Sequence, residues 1–282
     1  MEYTVLNNGV KMPLIGFGTM GIENNQLGEK VILDALNTGY RMIDTAAAYS
    51  NEEIIGSAIK KSGIARDELF IVSKLWVQDA GYENTKQAFN TSLKKLGLNY
   101  LDAYLIHVPF GDYYGSWRAM EELYAKEKIR VIGVCNFYPA RLADFCLNTV
   151  VTPAVCQVEL HPFYQQEEAL ANMKHFHVQP EGWSPLAHAR NDIFANEVLS
   201  KIAEKYNKTV GQIVLRWNIQ RGCVVIPKTV QKKRMLENIA IWDFSLTAEE
   251  MQCIAQLDTG YTEEDARSLT MAIQANQWKI HS

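Results

Sequence analysis

Several absences narrow the field. The 282-residue chain sets 28 basic against 32 acidic residues, for a net charge of −4. It therefore lacks the basic surplus with which nucleic-acid-binding proteins neutralise phosphates, and it has no polybasic tract for anionic lipid. Nowhere do eighteen apolar residues run together, which excludes a sequence-legible membrane span. The start, Met1-Glu2-Tyr3, has neither a basic leader nor an apolar leader core, so an unexported, cytoplasmic protein is expected. The five cysteines, Cys135, Cys146, Cys156, Cys223 and Cys253, are odd in number and never in a C-x-x-C spacing. That argues against a disulfide framework or a zinc knuckle and for reduced thiols. No linker rich in Pro, Gly or Ser interrupts the chain, and one domain over 1–282 is expected.

What is present is a hydrophobic content of 48% with six Trp and thirteen Tyr, ample for a core. Short β-branched or aromatic runs alternate with stretches whose apolar residues recur at helical spacing. The runs are Leu14 to Phe17, Met42 to Asp44, Phe70 to Lys74, Leu101 to His107, Val131 to Asn136, Ala154 to Glu159, Val178 to Ser184 and Cys223 to Ile226. Between them, helical patterns stop at Gly39 and Gly97, where a C-capping glycine belongs. Runs apolar almost throughout suit a parallel sheet buried on both faces, and eight βα units closing on themselves make an α/β (β/α)8 TIM barrel. An open doubly wound sheet is the structural alternative. Asn7-Asn8-Gly9 between two short arms predicts an N-terminal β-hairpin plugging the barrel's lower end. Extra helices are expected over Glu197 to Tyr206 and Val210 to Arg221, and from the Thr247-x-x-Glu250 capping box onward; the tail from Asp258 shows no periodicity.

In such a barrel the chemistry sits at the C-terminal ends of the strands. Those ends are Asp44, Lys74, His107, Asn136, Gln157 with Glu159, and Ser184, with Tyr49 in the loop after Asp44. Singly, Asp44 reads as a cap, Lys74 as a rim charge, His107 as a core histidine and Tyr49 as packing. Together they have a joint logic. An ammonium about 4 Å from a phenol favours the phenolate by about 4 kcal/mol at an effective dielectric near 20. That moves tyrosine from about 10 toward 7, a ceiling that burial opposes. Asp44 would hold Lys74 charged, and His107 would orient a substrate oxygen. The set reads as acid catalysis on a carbonyl that needs an electron-pair donor from elsewhere.

At these residues the sequence resembles the aldo-keto reductase family, from the hairpin to about Leu257. The motifs are Gly16-Phe17-Gly18-Thr19, Asp44-Thr45-Ala46 with Tyr49, Asn51-Glu52 and Gly56, and Ser73-Lys74. They continue with His107-Val108-Pro109, Gly133 to Phe137, Gln157 to Pro162, Trp183-Ser184-Pro185-Leu186, and Ile226 to Thr229 with Arg234, Glu237 and Asn238. The resemblance implies a monomer or weak homodimer that uses NADPH to reduce small-molecule aldehydes or ketones to alcohols. It implies Tyr49 as proton donor, Asp44 and Lys74 as its tuning pair, and His107 as the substrate-orienting residue. Asn136 and Gln157 match carboxamide-binding positions, Trp183 the ring-stacking aromatic, and Ser184 and Leu186 lie in the same cofactor-binding segment. Lys228, Thr229 and Arg234 match residues that grip the 2′-phosphate, and Glu237 and Asn238 those around adenine. Two cations and a hydroxyl suit a dianionic phosphate, favouring NADPH over NADH. No metal is implied.

Three departures stand out. Cys135 replaces the family's usual Ser before Asn136, Met20 stands where an aromatic often lines the substrate pocket, and the tail looks short, leaving fewer residues over that pocket. The expected pocket comprises Met20, Tyr49, Trp76, His107 and Phe110, with Trp117 either there or packed within its helix. Such a lining favours aromatic or medium-sized aliphatic aldehydes and dicarbonyls. His175 and His177 read as an exposed pair at a helix end. Two other functions compete: a cofactor sensor of the same fold with vestigial turnover, and a barrel lyase or isomerase using Lys74 as a Schiff-base amine.

Overall fold

Each apolar run becomes a strand, and the strands stand side by side in chain order. A computed structural model of the chain describes residues 2–262 and 265–281; Met1, Glu263, Glu264 and Ser282 of the expected 1–282 domain lie outside the described residues. Strands β1 (Tyr3–Val5) and β2 (Lys11–Pro13) form an antiparallel hairpin turned at Gly9, which takes the left-handed φ of 81° that glycine tolerates. The parallel strands are β3 (Phe17–Gly18), β4 (Met42–Asp44), β5 (Phe70–Leu75), β6 (Leu101–Ile106), β7 (Ile129–Cys135), β8 (Val155–Glu159), β9 (Gln179–Trp183) and β10 (Val224–Val225).

Neighbours pair in sequence order from β3 to β10, and the first strand's segment then meets the last. The Val225 N–H donates to the Leu14 carbonyl at 3.1 Å, the Gly16 N–H to Val225 at 2.8 Å and the Gly18 N–H to Pro227 at 3.1 Å. The sheet is closed, which decides for the barrel over an open doubly wound sheet. Closure depends on glycine at Gly18, where a Cβ would lie 2.7 Å from the Ile226 carbonyl oxygen.

The helices wrap outside. They are α1 (Gln26–Asn37), α2 (Glu52–Ser62), α3 (Tyr82–Leu96), α4 (Tyr113–Ala125), α5 (Pro139–Asn148), α6 (Glu167–His175), α7 (Glu197–Tyr206), α8 (Val210–Gln220), α9 (Lys232–Ile239), α10 (Ala248–Ala255) and α11 (Leu269–Gln277). The expected extra pair appears as α7 and α8, and the Thr247/Glu250 capping box starts α10. Among the described residues no helix is long and apolar enough to cross a membrane.

Alternate strand residues face two cores. Outward ones such as Ile43, Ile71, Tyr104, Ile132 and Val158 pack against the helices. Inward ones, including Met42, Phe70, Val72, Leu105, Val131 and Val155, pack with Leu6 and Met12 of the hairpin. Met42 and Phe70 begin their strands, so the hairpin seals the barrel's N-terminal end and leaves the C-terminal mouth for chemistry.

The tail differs from expectation. It is short, yet it folds into α11, whose Ser268 cap accepts from the Met271 N–H at 3.1 Å. Leu269 and Ile273 are exposed and only Ala275 is fully buried, so the helix has no apolar stripe to read from sequence.

Candidate active site

The mouth is built from strand ends. Asp44 closes β4 and Lys74 lies near the end of β5, both almost fully buried. Lys74 Nζ donates to Asp44 Oδ1 at 2.5 Å, to the Thr45 carbonyl at 3.0 Å and to the Tyr49 hydroxyl at 3.5 Å. All three ammonium hydrogens are thereby directed. Tyr49 ends a single 3₁₀ turn, Ala47–Tyr49, that follows β4. That turn is fixed by buried polar bonds. Asn51 accepts from Thr45 Oγ1 at 2.7 Å and donates to the carbonyls of Thr19 and Ile22, while Glu52 accepts from Ser73 Oγ at 2.7 Å.

His107, just beyond β6, stands edge-on to Tyr49 with ring centres 5.5 Å apart, and edge-on to Trp76 at 5.2 Å. Phenol, ammonium, carboxylate and imidazole, separated by up to 63 positions, thus meet at one place. Burial, reinforced by the Lys74 charge, holds His107 well below its ordinary value, so the imidazole is neutral. Its Nδ1 is buried without a hydrogen-bond partner among the described residues.

Tyr49 departs from the sequence expectation. Burial pushes its hydroxyl up to about 12, outweighing Lys74, while Asp44 adds to the rise. Lys74 is 2.5 Å from Asp44 but 3.5 Å from the phenol, so the carboxylate answers part of its field and burial prevails. The phenol stays protonated through neutral pH rather than moving toward 7. Lys74 itself is held above its ordinary value: burial opposes the charge, and Asp44 and Tyr49 overcome it.

The expected cofactor residues continue around the mouth. Asn136 adopts a left-handed φ of 61° after β7; its Nδ2 donates to the His107 carbonyl at 3.3 Å, and its Oδ1 accepts from Trp183 Nε1 at 3.1 Å. Ser184, also left-handed with φ 49°, accepts from the His188 N–H. Two such conformations outside glycine, both at strand ends, mark backbone held in place by its surroundings. Gln157 on β8 donates from Nε2 to Asp44 Oδ2 at 3.0 Å and to Glu181 Oε2 at 2.9 Å. Leu186 is half-buried beside α8.

Beyond β10, Lys228 is exposed, and Thr229 Oγ1 accepts from the Gln231 N–H at 3.1 Å. Helix α9 opens with Lys232, Lys233 and Arg234 and has no acidic residue in its first turn. Cations at a helix N-terminus oppose the dipole, so this end is electrostatically suited to an anion. Glu237 sits 3.7 Å from Lys233, and Asn238 is buried beneath the helix against the Tyr40 hydroxyl.

The apolar side of the mouth joins Tyr49, Trp76, Val108 and Phe110 to Ala275 and Ile280 of the tail. Trp278 stands edge-on to Trp76 at 5.0 Å and its carbonyl accepts from Trp76 Nε1 at 2.9 Å. The Ile280 N–H donates to Gln78, and His281 Nε2 lies 2.8 Å from Asp79 Oδ1. The tail is short, and what there is of it packs on this side of the mouth. Met20 is half-exposed. Trp117 lies elsewhere, packed on Phe145 at 5.0 Å with its indole N–H bonded to Val151. His161 is paired with Glu159 at 3.1 Å, and His175 and His177 are exposed beside the end of α6.

Sequence reading missed the tail residues, which carry no periodic signal, and Glu181. The latter did leave a trace: a lone carboxylate within the strand segment Gln179–Trp183.

A closed (β/α)8 barrel with these groups at its C-terminal mouth, beside a basic helix end, has the form of a barrel oxidoreductase. Comparison with known proteins defines the group further. The model of the Aldo/keto reductase family matches residues 14–259. The chain is 48% identical over 254 residues to a glyoxal reductase of Bacillus subtilis, covering 90% of this chain and 91% of that one. Its fold superposes, with a TM-score of 0.89 and 43% identity, on an aldo-keto reductase from a Medee basin deep-sea metagenome library, covering 92% and 96% of the two chains. An equal TM-score of 0.89, at 31% identity and 95% coverage of both chains, relates it to a Bombyx mori aldo-keto reductase in complex with NADP. The chain belongs to the aldo-keto reductase family.

Proposed function

We propose that the protein reduces aldehyde or ketone carbonyls to alcohols with NADPH, and that Tyr49 delivers the proton. The observation that carries this reading is the buried Lys74 ammonium 3.5 Å from the Tyr49 hydroxyl. The bound dihydronicotinamide supplies the hydride. Every other element is this chain's own. Neutral His107 hydrogen-bonds the carbonyl oxygen beside Tyr49, and the phenol gives its proton to that oxygen as negative charge develops there. Lys74 meets the phenolate so formed, and Asp44 keeps Lys74 charged and in place.

Gln157, Asn136 and Trp183 would hold the nicotinamide end. Lys228, Thr229 and Arg234 would hold the 2′-phosphate, whose charge suits the basic first turn of α9. NADP in the Bombyx mori relative supports the same coenzyme here. For the substrate, the tail clamp over Trp76 and the name of the Bacillus subtilis glyoxal reductase favour small dicarbonyls, processed in the cytoplasm.

The test is Tyr49→Phe. Loss of a general acid lowers turnover by about 10²-fold or more, measured by NADPH absorbance with glyoxal, while NADPH affinity by calorimetry is unchanged. Full turnover in the variant would remove Tyr49 from its role. Tight NADPH binding by the unaltered protein with no reduction of any carbonyl would instead identify a sensor.

A further inference from the structure

Below the mouth the barrel holds one acidic group that this chemistry does not use. Glu181 has no exposed surface. It stands on β9 opposite Gln157 on β8, which in turn is opposite Cys135 on β7, so all three side chains share the inward face of the sheet. Its other neighbour, Val224 on β10, is apolar.

The hydrogen-bond count is informative. A primary amide has two N–H donors. Gln157 gives one to Asp44 Oδ2 at 3.0 Å and the other to Glu181 Oε2 at 2.9 Å. Asp44, whose other oxygen already takes Lys74, requires a donor here, and that fixes which end of the amide is nitrogen. Both hydrogens are then spent within the barrel, and only Gln157 Oε1 is left as an acceptor for the mouth. With Asp44 as the sole anchor, one amide hydrogen would be unassigned and the amide plane could turn about the remaining bond.

We propose that Glu181 is a positioning residue for carbonyl reduction: by accepting the second Gln157 hydrogen it holds the amide so that Oε1 receives the N–H of the nicotinamide carboxamide. This rests on the coenzyme reading above. The charge inventory is consistent with it. The one buried Lys or Arg among the described residues, Lys74, is matched by Asp44 and has no donor left for a second carboxylate. Glu181 Oε1 has no hydrogen-bond partner among the described residues. Burial, and next the Asp44 charge, push Glu181 up to about 8. At neutral pH it keeps its proton, and its carbonyl oxygen accepts from Gln157. Ionisation adds an unmatched negative charge beside Asp44, and the amide becomes a charge-assisted donor drawn toward Glu181.

The other titratable groups facing this cluster do not change state between pH 7 and 9. Tyr49 is pushed up to about 12, and Lys74, Cys135 and Cys156 are all held above their ordinary values. Asp44 faces Glu181 across the Gln157 amide, so an alkaline transition in that window belongs to this carboxyl pair, and replacing Glu181 removes it.

The experiment compares the full-length protein with Glu181→Gln and Glu181→Leu. NADPH affinity is read by calorimetry and the single-turnover rate by NADPH absorbance with glyoxal, each from pH 6 to 10. Glutamine offers the same acceptor without a titratable proton, so E181Q should match the unaltered protein at pH 7 and lose the weakening of NADPH binding near pH 8. Leucine offers no acceptor, so E181L should bind NADPH about tenfold more weakly at pH 7. The proposal is overturned if E181Q keeps the same alkaline weakening, or if a folded E181L binds NADPH as tightly as the unaltered protein. Failure of the coenzyme reading looks different, since the unaltered protein would then neither bind NADPH nor reduce the dicarbonyl.

Discussion

Asp44→Asn isolates what the buried ion pair does for the fold. Lys74 Nζ and Asp44 Oδ1 are 2.5 Å apart, with side-chain exposures of 0% and 2%. At an effective dielectric of 20 their attraction is about 7 kcal/mol. Removing two ions from water costs several kcal/mol each, so the pair comes close to balance and its net contribution is small. Asparagine cancels the attraction and leaves the Lys74 desolvation unopposed. It also cannot serve Lys74 and the Gln157 N–H with one carbonyl oxygen. The expected loss is therefore about 3–5 kcal/mol, a fall in Tm of about 10 °C for a chain of this size. Lys74→Met should cost a similar amount by stranding Asp44. The double variant D44N/K74M buries no net charge, so it should be at least as stable as either single one. Thermal and urea midpoints followed by circular dichroism, without NADPH, measure all three. Single variants within about 1 kcal/mol of the unaltered protein, or a double variant whose loss is the sum of the two, would refute this electrostatic account.

The cofactor, imidazole and tail readings each give a further expectation. Lys228→Ala with Arg234→Ala should raise the Kd for NADPH by about 10²-fold, the scale of two charge-assisted bonds, and leave NADH nearly unaffected; equal losses in paired titrations would remove the 2′-phosphate assignment. His107 is held well below 6.5, so on acidification the unfolded chain takes up a proton that the native protein does not. Stability should accordingly fall as pH drops below 6.5, and His107→Gln should flatten that slope between pH 6.5 and 5; parallel urea-midpoint curves would count against it. Trp278→Ala removes the edge-on contact with Trp76 and opens the roof. The ratio of kcat/KM for a bulky aromatic aldehyde to that for glyoxal should rise about tenfold, and an unchanged ratio would detach the tail from substrate choice.

The architecture was legible wherever one face of an element is buried, because burial imposes a period. Strand and helix boundaries fell within a few residues of the apolar patterns, and Asn7-Asn8-Gly9 gave the hairpin. The placement of Asp44, Tyr49, Lys74 and His107 at one mouth followed from strand-end position once a parallel barrel was assumed. Closure itself had no local signature, since it lies in bonds between Leu14–Gly18 and Val225–Pro227, more than two hundred positions apart. The tail was illegible for the opposite reason. Its contacts are single anchors, Ala275, Trp278, Ile280 and His281, rather than a stripe. Glu181 was passed over because a carboxylate inside a barrel strand has no place in a binary apolar pattern; its hydrogen-bond partner, Gln157, comes from another strand.

The phenol shows why distances decide what residue types leave open. Sequence logic gave Lys74 the task of lowering Tyr49 toward neutrality, whereas burial, aided by the Asp44 carboxylate 2.5 Å from Lys74, leaves the hydroxyl protonated. On the proposed reading this is the more useful state. A ground-state phenolate could not donate. A phenol that becomes anionic only as the proton leaves meets the ammonium 3.5 Å away at that moment, an attraction of up to about 5 kcal/mol at an effective dielectric of 20. The interaction is then stronger in the transition state than before it, which is the condition for accelerating the chemical step rather than tightening binding. It follows that Lys74 and Asp44 act as a unit, one meeting the new charge and the other keeping its partner ionised and aimed. Replacing Lys74 should therefore lower the rate of reduction far more than it changes the affinity for the carbonyl compound.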